Sequence, residues 1–178
     1  MLNVKGVFEL GLKMGVAADP RGKKGVEGYL ARAKKEFLKL SEKEQKEFDK
    51  EKLANPYLDS GIHVDDGKTK VKRVLAGIDI TEGEVLLASQ MNERGKPIDL
   101  VISHHPVGKG LALLAEVMEM SVEVYESYGV PIHLAEKIHE ERMRLVGRNL
   151  HGGNHYRVVD AAKLLGVNFL STHTITDN

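Results

Sequence analysis

Ser103-His104-His105-Pro106 is the stretch of this chain best equipped for chemistry. Imidazole titrates near neutral pH and is the commonest protein ligand for divalent metals. The two rings directly follow Ile98-Asp99-Leu100-Val101-Ile102, an apolar run that reads as a buried strand. Asp79 ends a second strand candidate, Val74–Ile80, and His173 and Asp177 follow a third, Val167–Ser171. Parallel strands would open all of these residues on one edge of a sheet, the edge where ligands of open α/β folds bind. The chemistry this suggests is metal binding. Adjacent residues of an extended chain point in opposite directions, and Pro106 favours extension at His105. Two ions about 3.5–4 Å apart, one for each ring with a carboxylate such as Asp177 between them, are the expected arrangement.

Composition narrows the field. The 178 residues carry 26 Lys+Arg against 26 Asp+Glu, so no net charge draws the chain to nucleic acid or anionic membranes. There is no Lys/Arg stripe beside exposed aromatics, and aromatics make up only 5% of residues, which also argues against a nucleic-acid partner. Without cysteine there is no disulfide, no thiol nucleophile and no thiolate ligand. His, Asp and Glu donors suit zinc, manganese, iron or nickel. No apolar run approaches the roughly 20 residues of a membrane span, and the start lacks the apolar core of a signal peptide. A cytoplasmic location is expected.

The elements that must position these residues follow from periodicity. Val4, Val7, Phe8, Gly11 and Leu12 predict a short helix, broken at Asp19-Pro20-Arg21-Gly22. Val26, Tyr29, Leu30, Ala33, Phe37 and Leu40 form the apolar stripe of a second helix. Ser41 and Glu44 have capping-box spacing, and the alternating charges after them read as a solvated helical face. Asn55-Pro56 and Asp65-Asp66-Gly67 punctuate a loop-rich stretch. Residues 1–55 are thus expected to be a helical segment packed on the core, and 56–178 an α/β metal-binding domain. Within it, Thr81 can cap a helix through Met91, giving a strand–helix–strand unit with parallel strands and a right-handed crossover. Leu114 to Tyr125 reads as one helix, and Leu134 to Leu145 as another. Val158, Ala161, Ala162 and Leu165 line a last helix, capped by Gly166. The fold class is α/β, a mostly parallel sheet flanked by helices, with a helical N-terminal segment.

Weaker signals have plainer readings. Val107-Gly108-Lys109-Gly110 lacks P-loop spacing and reads as a basic turn. In His151-Gly152-Gly153-Asn154-His155 the glycines shape a turn and Asn154 caps the next helix, though His155 could line the site. His63, His133 and His139 have no evident partner and default to surface or helix positions.

Three blocks resemble the Nif-three-like family, whose members are described as GTP cyclohydrolase 1 type 2 homologues. They are Gly77-Ile78-Asp79-Ile80-Thr81, Asp99–Pro106 with its His-His-Pro, and His173-Thr174-Ile175-Thr176-Asp177. The resemblance runs from about Lys70 to the end. It implies a dinuclear centre of two divalent ions with His104, His105 and Asp177 as metal ligands. His173 would then sit close by in the second shell; Asp79, from its strand end, and His155, from its loop, are further second-shell or substrate-facing candidates. It also implies an α/β domain in two similar halves, homo-oligomers stacked as a ring-shaped hexamer, and a cyclohydrolase-like or other metal-dependent hydrolase acting on a nucleotide-like or phosphate-bearing small molecule. The alternative is a non-catalytic metal-binding scaffold or regulatory subunit. Family members complete the site with a His and a Glu further downstream, so the chain is expected to correspond to the N-terminal half, or to a member that has lost the second half. The charged N-terminal helices and the long segment between the His-His-Pro and His-Thr-x-x-Asp blocks mark a divergent subfamily.

Overall fold

A computed structural model describes residues 1–178. Asn3 caps the first helix, α1 (Val4–Ala18), its side chain accepting from the Gly6 N–H at 2.9 Å. Next come α2 (Gly22–Lys39), α3 (Glu42–Glu47) and a 3₁₀ turn at Lys50–Leu53. The Ser41–Glu44 capping box that opens α3 is formed on both sides. The Asp19–Gly22 break does more than stop a helix. Asp19 is buried against Arg21, which also reaches Glu123, and the Tyr57 hydroxyl donates to Asp19 at 2.7 Å. Burial pushes the Asp19 carboxyl up, but the hydrogen bonds from Arg21 and Tyr57 prevail and hold it below its ordinary range.

The stretch read as loop-rich contains a strand, β1 (Gly61–Val64), whose four residues are too few for periodicity to register. It is followed by β2 (Val74–Gly77), α4 (Glu82–Glu93) and β3 (Leu100–Ser103). Thr81 caps α4 in a full capping box with Glu84. The strand expected over Val74–Ile80 is shorter and less buried than its apolar run suggested. β2 lies at the sheet edge, and Ile78 beyond it is 64% exposed.

The Val107–Gly110 segment is not a flexible turn. Gly108–Ala112 forms α5, with both glycines buried. The helix expected over Leu114–Tyr125 is broken into α6 (Leu114–Val117) and α7 (Met120–Ser127), and both pack on α8 (Ile132–His151). Then follow α9 (Arg157–Leu165), β4 (Phe169–Ser171) and α10 (His173–Asp177). Gly166 ends α9 in the left-handed conformation that glycine adopts freely. Asn154 does not cap α9. It accepts from the Tyr156 N–H at 3.3 Å, while Tyr156 occupies the cap position without a side-chain bond.

The sheet order is β1-β4-β3-β2, with β2, β3 and β4 parallel and β1 antiparallel to β4. Side chains alternate between its faces. Val101 and Phe169 join Val85, Ala88, Val158, Val159 and Ala162 under α4 and α9. Leu100 and Leu170 face the other way, against Val4 and Phe8 of α1, Tyr57, and Ile175 of α10. Gly15 lets α1 lie directly on α10, since a Cβ there would stand 2.9 Å from the Ile175 carbonyl oxygen. No helix is long and apolar enough to cross a membrane.

Candidate metal centre at the sheet edge

One row of register partners sets the site. Gly77 pairs with Ser103, Ser103 with Ser171, and Ser171 with Gly61. Residues just after the first three, and just before the fourth, therefore share an edge. Asp79, His104-His105 and His173 arrive from the parallel strands as their order implied. Asp59 arrives with them because β1 runs antiparallel, so its amino end lies where the others have their carboxyl ends.

The His pair is held by backbone first. The His104 N–H donates to the Gly77 carbonyl at 2.9 Å and that of His105 to Ile78 at 2.8 Å, so the β2–β3 ladder continues beyond the strands. The Ser103 hydroxyl donates to the His105 carbonyl at 2.7 Å and closes the bend. That bend overturns the expectation of oppositely directed rings. The two imidazoles lie side by side, 5.3 Å between centroids and 38° apart in plane. His173 completes the cluster, 5.2 Å from His104 and 6.0 Å from His105.

Carboxylates hold the rings from two sides. His105 Nδ1 is 2.7 Å from Asp79 Oδ1 at the solvent rim, and His173 Nδ1 is 2.8 Å from the buried Asp59 Oδ2. His173 and Asp177 stand four residues apart on α10 and so share a helix face. Asp177 lies 3.5 Å from His104 Nε2 and 3.8 Å from His173 Nε2. Donor atoms of His104, His173 and Asp177 all fall within 4.8 Å of one another. Ligands about 2.0–2.2 Å from a tetrahedral ion stand roughly 3.4 Å apart, so this group fits a cation with little adjustment. The hydrogen bond to Asp59 raises the His173 pKa against the opposing effect of burial, with the Asp59 and Asp177 charges adding to it.

Two candidates from the sequence have other surroundings. His155 makes no side-chain bond or ring contact with the cluster. Its carbonyl accepts from the Gly108 N–H at 2.8 Å, and its Nδ1 is buried without a partner. His63, read as a default surface or helix residue, instead stands on β1. It bonds Ser171 Oγ at 2.8 Å and stacks on Phe169, and burial pushes its pKa down to about 4. His139 is buried on α8 beside Tyr125.

Asp59 is the site residue that sequence reasoning missed. Its signal was faint: an Asp-Ser-Gly turn opening a four-residue strand too short to be recognised.

A solved structure shares part of this fold and sequence. The crystal structure of a NIF3 superfamily protein from Sphaerobacter thermophilus is 33% identical, with a TM-score of 0.58 over 65% of this chain. The chain resembles this NIF3 superfamily protein in sequence and fold. The match spans 40% of the length of the Sphaerobacter protein. No family model and no curated protein matches.

Proposed function

We propose that this chain is a metal-binding protein whose His104, His173 and Asp177 hold one divalent cation, with His105 directed to a second. The observation that carries this reading is the convergence of three donors within 4.8 Å from two separate elements, the turn after β3 and the helix after β4. The donor set is all nitrogen and carboxylate oxygen, which suits zinc, manganese, iron or nickel. A carboxylate on the far nitrogen is the usual support of a metal-ligating imidazole, and both His105 and His173 have one. Each thereby keeps Nε2 as its free donor.

Three donors leave one position of a tetrahedral ion to a further ligand, water in a catalytic site or another protein group in a closed one. An ion held there would supply Lewis acidity for hydrolysis. The chain's own residues supply the rest. Asp79 steers His105, and the exposed rim of Asp79 and Asp177 leaves the cluster accessible from solvent. Hydrolysis of a nucleotide-like or phosphate-bearing small molecule, in a homo-oligomer, is the activity we propose from the resemblance to the NIF3-like family.

The test is elemental analysis of purified chain after exposure to zinc or manganese, alongside His104→Ala and Asp177→Ala. We expect bound metal in the parent and its loss in both variants, with unchanged circular dichroism. Undiminished metal in both folded variants would refute the site.

A further inference from the structure

We infer that Asp59 is the residue that makes His173 a metal ligand, by keeping the ring proton on Nδ1; this rests on the metal-centre reading above. Asp59 precedes β1, 114 residues from His173, and its side chain is 1% exposed. Its Oδ2 accepts from His173 Nδ1 at 2.8 Å and from the Thr174 hydroxyl at 2.6 Å. Its Oδ1 accepts from the Thr174 N–H at 3.4 Å and the Ser60 hydroxyl at 3.2 Å. An ionised carboxylate only accepts, so the nitrogen that faces it carries the proton. The lone pair is left on Nε2, the atom that looks toward Asp177 at 3.8 Å. Asp79 bonds His105 in the same sense, but it is 74% exposed and water competes for its oxygens. Asp59 also grips Thr174, so a single buried group sets both the tautomer of the ring and the start of the helix that carries Asp177.

Asp59→Asn separates this role from simple packing. The Thr174 N–H can only donate, so it draws the amide oxygen to the Oδ1 position. The amide NH₂ then occupies the Oδ2 position and donates to His173 Nδ1, while the Thr174 hydroxyl rotates to accept. The ring proton moves to Nε2, where it blocks metal binding. Shape and volume hardly change.

The experiment reads His173 by long-range ¹⁵N–¹H NMR in metal-free protein in alkaline buffer, where the ring is neutral, with His173→Ala to assign the signal. Zinc affinity is measured by calorimetry on the same proteins. We expect the Nδ1–H tautomer in the parent and Nε2–H in Asp59→Asn, with zinc binding weakened about 10–100-fold, as for loss of other groups that support a ligand. An Nε2–H tautomer in the parent overturns the inference, and needs no foldable Asp59 variant. Parent-like zinc affinity in folded Asp59→Asn or His173→Ala overturns it too. Zinc binding that survives His104→Ala and Asp177→Ala would instead sink the metal-centre reading, leaving the tautomer to decide the part Asp59 plays.

Discussion

A histidine's environment decides its role more than its presence does. The eight histidines look alike as letters, yet His63 and His173 are tuned in opposite directions. His63 is partly buried between Ser171 and Phe169, and desolvation lowers its folded pKa to about 4 against an ordinary 6.5. Between those values the unfolded chain binds the extra proton, so His63 favours the folded state above pH 6.5 and this contribution is lost as pH falls toward 4. The full effect is on the order of 3 kcal/mol. Urea unfolding of His63→Gln, which can still bond Ser171, should therefore show a shallower loss of stability over that acid window than the parent. An unchanged slope would mean that another group sets it. His173 has the reverse sign: its raised pKa favours folding at low pH, and the benefit fades as pH rises through the folded value. The His104-His105 doublet was legible at this scale because two adjacent imidazoles are conspicuous. Asp59 was not, since one acidic residue in a turn resembles any other until its partner 114 residues away is known.

Helices and strands add constraints that single residues do not display. Gly15 and Gly28 both sit inside helices, where alanine is ordinarily favoured by roughly 0.5–1 kcal/mol. At Gly28 the nearest atom to a new Cβ is the end of the Arg32 side chain at 3.8 Å, so Gly28→Ala should raise stability by about that amount in denaturant titration. At Gly15 the Cβ would meet backbone, the Ile175 carbonyl, at 2.9 Å. Gly15→Ala should cost about 1–3 kcal/mol and weaken zinc binding as well, because α10 carries His173 and Asp177. Equal effects from both substitutions would show that close packing of α1 on α10 does not matter. The amphipathic helices α1, α2, α4 and α9 were legible because their apolar residues recur with the helical period or their caps are explicit. The broken α6–α7 stretch was not, since its apolar pattern passes through the break at Met118–Glu119 unchanged.

Across the whole molecule, distant segments are tied by two polar assemblies. One is the histidine–carboxylate cluster at the sheet edge. Metal that binds only the folded chain should raise unfolding stability by about 2.7 kcal/mol at a free concentration 100 times its Kd, measured by thermal or urea denaturation with and without zinc. The other joins α1, α2, Tyr57 and α7 through Asp19, Arg21 and Glu123. Asp19→Ala would leave Arg21 buried with only Glu123, and it should destabilise the chain by about 3–5 kcal/mol. A loss below 1 kcal/mol would mean that Glu123 alone compensates. The local sequence determined the parallel α/β core, the helix caps and the candidate donors His104, His105 and Asp177, because apolar period, capping chemistry and side-chain type are written residue by residue. Tertiary structure alone decided that the His pair bends to one side and that His104 meets His173 and Asp177. It also decided that the antiparallel β1 delivers Asp59 beneath the cluster. Those outcomes depend on strand direction and register, which no short stretch of chain encodes.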